Sequence, residues 1–242
     1  MMSPTDPQEH NPYQPPRVQM GGAGSDGYRP QNGTVGTLTV LFSIDIVCQL
    51  FLGTFNLVEL TVMPDVAALA AAGDPSSFVF SLVEALVGLL SVGATIALVV
   101  MFCVWVYRAN RHARVLSGNV LEFTPGWAVG WFFVPFANLY KPYQAVKEIY
   151  IYSEPRSGDD SSTGPLVPGL LPAWWGFWLA SNFASNIEFR LSWTDDPAMM
   201  NAGLWAGVLA TPLAVAAAVL AMLVVRRIHD RQKRLARDQG ML

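Results

Sequence analysis

The sequence predicts an all-α integral membrane protein with four transmembrane helices and a proline-broken helix pair between the second and the third. Of its 242 residues, 52% are hydrophobic and only 14% are charged, whereas soluble domains carry about 25% charged residues. The apolar residues are concentrated in four blocks, each long enough for the ~20-residue helix that crosses a hydrocarbon core of ~30 Å. A spanning segment of this kind must be helical because lipid offers no partner for its backbone N–H and C=O groups.

Residues 1–34 precede the first apolar block and are predicted to form a disordered cytoplasmic tail. The segment contains six prolines and a glycine-rich cluster at 21–24, and it has few aliphatic residues. Such a composition buries too little apolar surface to offset the entropy of ordering the chain. Residues 35–242 are predicted to form one four-helix membrane domain.

The four apolar blocks place the spans at about 37–61, 78–107, 172–191 and 198–225. A fifth apolar stretch, 125–140, is shorter and is interrupted by Gly126, Gly130 and Pro135. With four spans, all of the 15 lysines and arginines except Arg190 lie on one side of the membrane. A fifth span would carry many of them across, against the tendency of basic residues to stay in the cytoplasm. Four spans, with both termini cytoplasmic, are therefore predicted.

The segment 124–152, between spans two and three, is predicted to form two short helices at the cytoplasmic interface. Thr124 and Pro125 are typical of the cap and first position of a helix that Pro135 ends. Trp127 and Trp131 share one face of that helix; Gly126 and Gly130 share another, which would allow close approach of a neighbouring helix. The second helix begins at Lys141-Pro142, and Tyr143 lies on its apolar face. The pair either lies on the membrane surface or dips into it, and Asn138 at the break would bind freed backbone groups or contact a ligand.

Several motifs in this region resemble bacterial membrane proteins of the family known as domain of unknown function 4328. They are WVYRANR at 105–111, TPGWAVGWFFVP at 124–135, Asn138-Leu139, KPYQ at 141–144 and the pair Trp174-Trp175. The resemblance covers most of residues 40–225 and implies a bacterial multi-helix membrane protein without an assigned activity. The residues predicted to form the cytoplasmic interfacial motif are Arg108, Asn110, Arg111, Pro125, Gly126, Trp127, Gly130, Trp131, Pro135, Asn138, Pro142 and Tyr143.

Each predicted span has one face of polar or small residues, which should meet inside a bundle. Asp45 lies near mid-membrane, where an ionised carboxylate needs a partner, and Gln49 and Asn182 are nearest in depth. Either Asp45 and Asn182 form a site for a proton, cation or small ligand, or the polar groups are hydrogen bonds that fix helix packing at about 0.6 kcal/mol each. A pair between a glutamate and Arg190 is expected nearer the outer ends. The intramembrane polar candidates are Asp45, Gln49, Asn56, Glu59, Glu84, Asn182, Asn186, Glu188 and Arg190.

The absence of familiar catalytic and cofactor motifs disfavours an enzyme. The sequence contains no glycine-rich phosphate loop, no HExxH and no metal-spaced Cys/His set, and its three histidines lie outside the predicted spans. No catalytic residue, metal site, cofactor or nucleic-acid partner is predicted. The leading hypothesis is a non-enzymatic module that binds lipid, including anionic headgroups, or a membrane or cytoplasmic protein partner. The alternative is a small transporter or channel that uses the polar stripes around Asp45.

Overall fold

The computed structural model of the chain describes residues 28–61, 72–154, 169–194 and 196–242, and its regular elements there are all helices. Two 3-10 turns, Trp131–Phe133 and Ala137–Leu139, form the break between the third and the fourth helix. The predicted all-α class is confirmed. The helices are α1 (Asn32–Thr61), α2 (Pro75–Ser117), α3 (Pro125–Gly130), α4 (Lys141–Tyr152), α5 (Leu170–Leu191) and α6 (Pro197–Asp238).

Three helices, α1, α2 and α6, are long and apolar enough to cross a membrane. They contain three of the four predicted spans. The fourth, α5, has 22 residues but is not among them, since polar side chains such as Asn182 and Asn186 lower its hydropathy. The structure therefore supports a membrane protein with three candidate spanning helices.

The two longest helices begin with the same Asp-Pro pair. The side chain of Asp74 accepts a hydrogen bond from the Ser76 N–H (2.8 Å), and Asp196 accepts one from the Ala198 N–H (2.9 Å). Proline fits the first helical position because its missing N–H would have no partner there. α2 ends at Ser117 and is capped by Gly118, whose φ of +74° is the left-handed conformation that commonly terminates helices.

The long helices pack most closely at one end of the bundle, which we call the basic end. It carries the arginines at 108–114 of α2 and at 226–237 of α6. α6 packs along α5 and α1, and α1 also packs along α2. Trp105, Val106 and Ile228 are fully buried at the basic end, where α3 and α4 add further apolar side chains to the same core. Toward the opposite end of the bundle, Leu86 and Leu89 of α2 are 59% and 71% exposed. Exposed leucines of this kind are typical of a lipid-facing surface.

The end of the predicted disordered tail belongs to the folded body. α1 begins at Asn32 rather than at residue 37. Tyr28 is buried against Leu116, at the end of α2, and Leu235, near the end of α6. The last turns of these two helices form a crevice for its ring. The tail prediction for 1–27 lies outside the described residues.

The basic extension of α6 is packed on the bundle along one face. Gln232 is 1% exposed, and its amide donates to the Ala109 carbonyl (2.8 Å) and to Ser153 Oγ (3.1 Å). Arg231 pairs with Glu154 at 3.2 Å. These bonds join α6, α2 and the end of α4, so the extension is part of the core at the basic end.

Candidate functional site

Arg114 organises the turn at 118–124, which connects α2 to the broken segment, that is, to α3, the two 3-10 turns and α4 (125–152). Its guanidinium donates to the side chains of Asn110 (3.2 Å) and Asn119 (2.6 Å), and to the carbonyls of Leu121 (2.8 Å) and Phe123 (2.7 Å). The planar fork of five N–H donors suits such a set of acceptors. Asn110 itself is fully buried, and its amide also donates to the Phe123 carbonyl at 2.9 Å. Arg114 and Asn110 thus fix the backbone just before α3.

Glu148 of α4 fixes the same turn from the other side. One carboxylate oxygen accepts from the Glu122 N–H, and the other accepts from the Phe123 N–H at 3.1 Å. Hydrogen bonds to a charged acceptor are stronger than those between neutral groups. The turn before α3 is therefore held by an arginine from α2 and a carboxylate from α4, two residues the predicted motif omitted.

The break between α3 and α4 is a strained turn. Thr124 caps α3 as predicted, with Oγ1 accepting from the Trp127 N–H at 3.4 Å. After the 3-10 turn that follows α3, the Ala137 N–H donates to the Pro135 carbonyl at 2.7 Å, which closes a γ-turn at Phe136. Phe136 has φ +62° and ψ −42°, a conformation that costs a non-glycine residue about 1–3 kcal/mol and is frequent at functional sites.

The γ-turn projects an apolar surface that we call the aromatic tip, and its members share high exposure. Phe136 is 88% exposed, the highest value among the large hydrophobic side chains of the described residues. An exposed apolar cluster beside buried ones indicates contact with lipid or with another protein. The tip consists of Trp127 (55%), Phe133 (66%), Phe136, Leu139 (42%) and Tyr140 (52%).

The segment that carries the aromatic tip is held against α2 and α5. The Phe132 ring meets Phe102 edge-on at 5.9 Å between centroids, and the indole N–H of Trp175 donates to the Leu139 carbonyl at 2.8 Å. Phe102 lies six residues before Arg108, roughly 9 Å along the helix at ~1.5 Å per residue. The break therefore lies beside the apolar part of α2.

Two predictions about this segment need correction. A Cβ added to Gly126 would meet no atom within 4 Å, and one added to Gly130 would meet only the Trp127 ring. These glycines do not pack against a neighbouring helix; Trp127 and Trp131 instead contact each other at 4.9 Å. Asn138 bonds through its backbone N–H to the Val134 carbonyl (2.9 Å), and its side chain has no hydrogen bond within the described part of the chain.

Lys141 at the start of α4 faces three aromatic rings. Its Nζ lies 5.3 Å from the ring centre of Tyr140, 5.5 Å from that of Phe123 and 5.7 Å from that of Trp131. Such rings attract a cation through their negative faces. No carboxylate in the described ranges forms an ion pair with Lys141. The α4 N-terminus also has no side-chain cap, which leaves its positive dipole end uncompensated.

The predicted interfacial motif is partly brought together. Arg108 Nη1 donates to Thr34 at 3.0 Å and Arg111 lies exposed on the same extension of α2. Pro142 is buried, and Tyr143 lies 6.5 Å from Trp175, between ring centres. The arginines thus lie on the α2 extension, separate from the aromatic tip. The spacing Asn110–Arg114, four residues on one helix face, is the sequence signal that could have identified Arg114.

A histidine at the basic end is held neutral. The Gln31 amide donates to Nδ1 of His112 at 3.0 Å, so this ring nitrogen must carry a lone pair. Burial, followed by the positive charges of Arg111 and Arg108, lowers the pKa of His112 to about 4 from its ordinary 6.5. Burial also lowers the pKa of His229, whose Nε2 lies 2.9 Å from Asn32 Oδ1.

We expect the contribution of His112 to the stability of the fold to fall as the pH drops from about 6.5 toward about 4. In this window the unfolded chain binds a proton at His112 and the folded one does not, so acid favours unfolding. His112→Gln should weaken this dependence. The measurement is thermal unfolding of the detergent-solubilised chain at neutral and mildly acidic pH. Equal acid sensitivity of His112→Gln and the unmodified chain would contradict the assignment.

The intramembrane polar residues pair differently from the prediction. Asp45 is 9% exposed, and its carboxylate accepts from Thr95 of α2 at 3.5 Å. Gln49 makes no hydrogen bond within the described ranges. Asn182 is exposed and donates to its own helix at the Trp178 carbonyl (2.7 Å), as Asn186 does to the Asn182 carbonyl (2.8 Å). The predicted site between Asp45 and Asn182 is therefore not formed.

Nearer the end opposite the basic end, three glutamates face one cavity. Asn56 donates to Glu188 at 3.0 Å across α1 and α5, and Glu59 and Glu84 line the same cavity of about 520 Å³. Arg190 is exposed and forms no ion pair with a glutamate of the described chain, so the predicted pair is absent there. In the described ranges, no group of His, Cys, Asp and Glu could hold a metal ion.

The face of small residues that the fourth predicted span presents lies on α6 and is buried, except for the half-buried Ala214. Gly203, Gly207, Ala210 and Ala217 are all buried, and a Cβ on Gly207 would collide with the Asn56 amide and the Glu188 carboxylate. This close approach lets α6 pack along both α1 and α5.

The similarity of this chain to known proteins includes the broken segment. A family model described as Domain of unknown function (DUF4328) matches residues 71–230, which include α2, the broken segment, α5 and most of α6. No match was found among curated proteins or among solved structures. The resemblance inferred from the motifs at 105–150 is thus confirmed, and the chain belongs to the DUF4328 family.

Proposed function

We propose that this protein is a non-enzymatic module of a bacterial cytoplasmic membrane whose aromatic tip binds the leaflet at the basic end. The observation that carries the proposal is the strained γ-turn at Phe136, which holds an 88% exposed phenylalanine outward. Strain of this kind persists only where surrounding structure enforces it. The contact of Phe132 with Phe102 and the hydrogen bond from Trp175 to the Leu139 carbonyl hold the chain on the two sides of this turn. A protein partner could cover the tip as well, but lipid fits its position beside α2 better.

We infer four spans, with α5 as the fourth and both termini on the cytoplasmic side. The start of α5 packs in the core at the basic end, where Leu171 and Trp174 are buried. α6 begins only a few residues after α5 ends and returns to the basic end with its arginines. α5 must therefore cross the thickness that α6 crosses, and at ~1.5 Å per residue its length is about 33 Å. Clustering of basic residues at one end supports the cytoplasmic assignment.

We also propose that the break dips into the leaflet as a re-entrant element. Its contact with Phe102 of α2 lies on the apolar side of Arg108. Irregular backbone is tolerated at such depth only where protein surrounds it, and Trp175 of α5 binds the Leu139 carbonyl there.

A spin label at Phe136→Cys, in a Cys48→Ala and Cys103→Ala background, tests insertion of the tip. In liposomes we expect the label to be more accessible to dissolved oxygen than to a water-soluble nickel complex. Val120→Cys, 55% exposed on the turn after α2, is the matched control and should show the opposite ranking. An aqueous signature at residue 136 would contradict the proposal.

The second candidate is transport through the cavity lined by Asn56, Glu59, Glu84 and Glu188. Three carboxylates around about 520 Å³ favour a cationic solute. Cation flux into proteoliposomes that Glu188→Gln abolishes, with the fold intact, would favour the transporter over the module.

A further inference from the structure

No carboxylate of the described residues forms an ion pair with the ammonium group of Lys141, at the base of the aromatic tip. The rings of Tyr140, Phe123 and Trp131 surround its Nζ at 5.3–5.7 Å from their centres. They stabilise the charge, but they are poor acceptors for its three N–H donors. A half-buried lysine normally pairs with a carboxylate, and the described chain provides none here. An anion from outside the protein would provide the missing acceptor and balance the charge of Lys141.

Other donors beside Lys141 also lack acceptors. The indole N–H of Trp131 is buried without a hydrogen-bond partner in the described residues. The first turn of α4 has no side-chain cap, and the proline at its second position leaves fewer N–H groups there. The α4 dipole adds positive potential close to the lysine. Oxygen-rich anions complement such a set of donors better than a halide does.

The surroundings of Lys141 distinguish between possible anions. Phe136, Tyr140 and Leu139 of the aromatic tip are exposed on the same segment. A ligand at Lys141 therefore needs a negative group that pairs with the ammonium and an apolar part that covers the aromatic tip. A phospholipid has this combination, with its phosphate at the headgroup level and its acyl chains beyond. An acidic protein segment would have to place its carboxylate between exposed aromatic rings.

We propose that Lys141 binds the phosphate of an anionic phospholipid whose acyl chains pack against the aromatic tip. The proposal rests on the proposed function, because it requires the tip to lie in the leaflet. It adds the ligand class and the residue that recognises it. The phosphate accepts from Nζ, and the three rings hold the ammonium in position for it.

The test compares lipid preference of the purified full chain in mixed micelles. Binding of fluorescent phosphatidylglycerol is measured in competition with unlabelled phosphatidylcholine. Lys141→Gln should lower the preference for phosphatidylglycerol about five-fold, the factor that corresponds to ~1 kcal/mol per basic residue. Lys141→Arg should retain most of it. Lys147→Gln removes the same charge from the same helix, away from the three rings, and should leave the preference unchanged.

A second measurement keeps the proposal testable if Lys141→Gln does not fold. Phosphatidylglycerol with a photoreactive headgroup should label the unmodified chain within 131–143, and adducts only on the α6 extension would overturn the proposal. Unchanged lipid preference in a folded Lys141→Gln would do the same, while a membrane signature of the label at residue 136 would leave the proposed function intact. Loss of a bound protein instead of lipid would assign Lys141 to a protein contact and also overturn it.

Discussion

Replacement of Arg114 by glutamine is expected to lower the free energy of unfolding by about 3 kcal/mol. The substitution removes four hydrogen bonds and leaves the carbonyls of Leu121 and Phe123 with fewer donors. The buried amide of Asn110 would lose its charged neighbour at the same time. Because the turn also positions α3, the aromatic tip should become mobile as the protein loses stability.

The measurement is the apparent midpoint of thermal unfolding in detergent, where a loss of this size corresponds to a fall of roughly 6–12 °C. Arg114→Lys should recover little, since one ammonium cannot reach acceptors arranged around a planar fork. Arg227→Gln is the control, because this arginine is exposed on α6. If Arg114→Gln and Arg227→Gln had equal midpoints, Arg114 would not organise the turn.

Gly53→Ala is expected to destabilise the bundle by about 1–3 kcal/mol, although alanine is the better helix former. A Cβ at this position would lie 2.9 Å from Cβ and 2.8 Å from Cγ2 of Thr211. The Thr211 Cβ cannot rotate away, so α1 and α6 must separate.

Gly88→Ala is the matched control in α2, where an added Cβ meets no atom within 4 Å. There the substitution should be neutral or stabilising by up to ~1 kcal/mol, because it lowers the entropy of the unfolded chain. Opposite signs for the two glycine variants are the expected result, measured as midpoints of thermal unfolding. Adding Thr211→Gly to Gly53→Ala should recover part of the loss, and no recovery would argue against a direct clash.

The broken segment shows what local sequence could predict. Thr124, Pro125 and Pro135 act through the backbone of their own neighbourhood, and the helix start and break follow from them. The prediction that Gly126 and Gly130 pack against a neighbouring helix was wrong. Glycine spacing identifies a helix face that another helix can approach closely, but it does not show whether such a helix is present. The γ-turn at Phe136 carries no glycine or asparagine signal, so its positive φ was not predictable.

The polar pairs show where sequence reasoning stops. Depth in the membrane can be counted along each helix, and this gave Gln49 and Asn182 as partners of Asp45. Pairing also depends on how each helix is rotated and which helices are neighbours, and the structure places Thr95 beside Asp45 instead. For the same reason Glu188 pairs with Asn56 of α1 and Arg190 points outward.

The helical class, the apolar blocks and the segregation of charge follow from the sequence alone, because these depend on composition and on distance along one helix. The sequence also contained the motifs that place the chain in its family. The packing of the helices places the core at the basic end, sets Arg114 and Glu148 against the turn before α3, and surrounds Lys141 with three rings and no carboxylate of the described residues. Those contacts join residues far apart in the chain, and their geometry depends on how whole helices pack against one another.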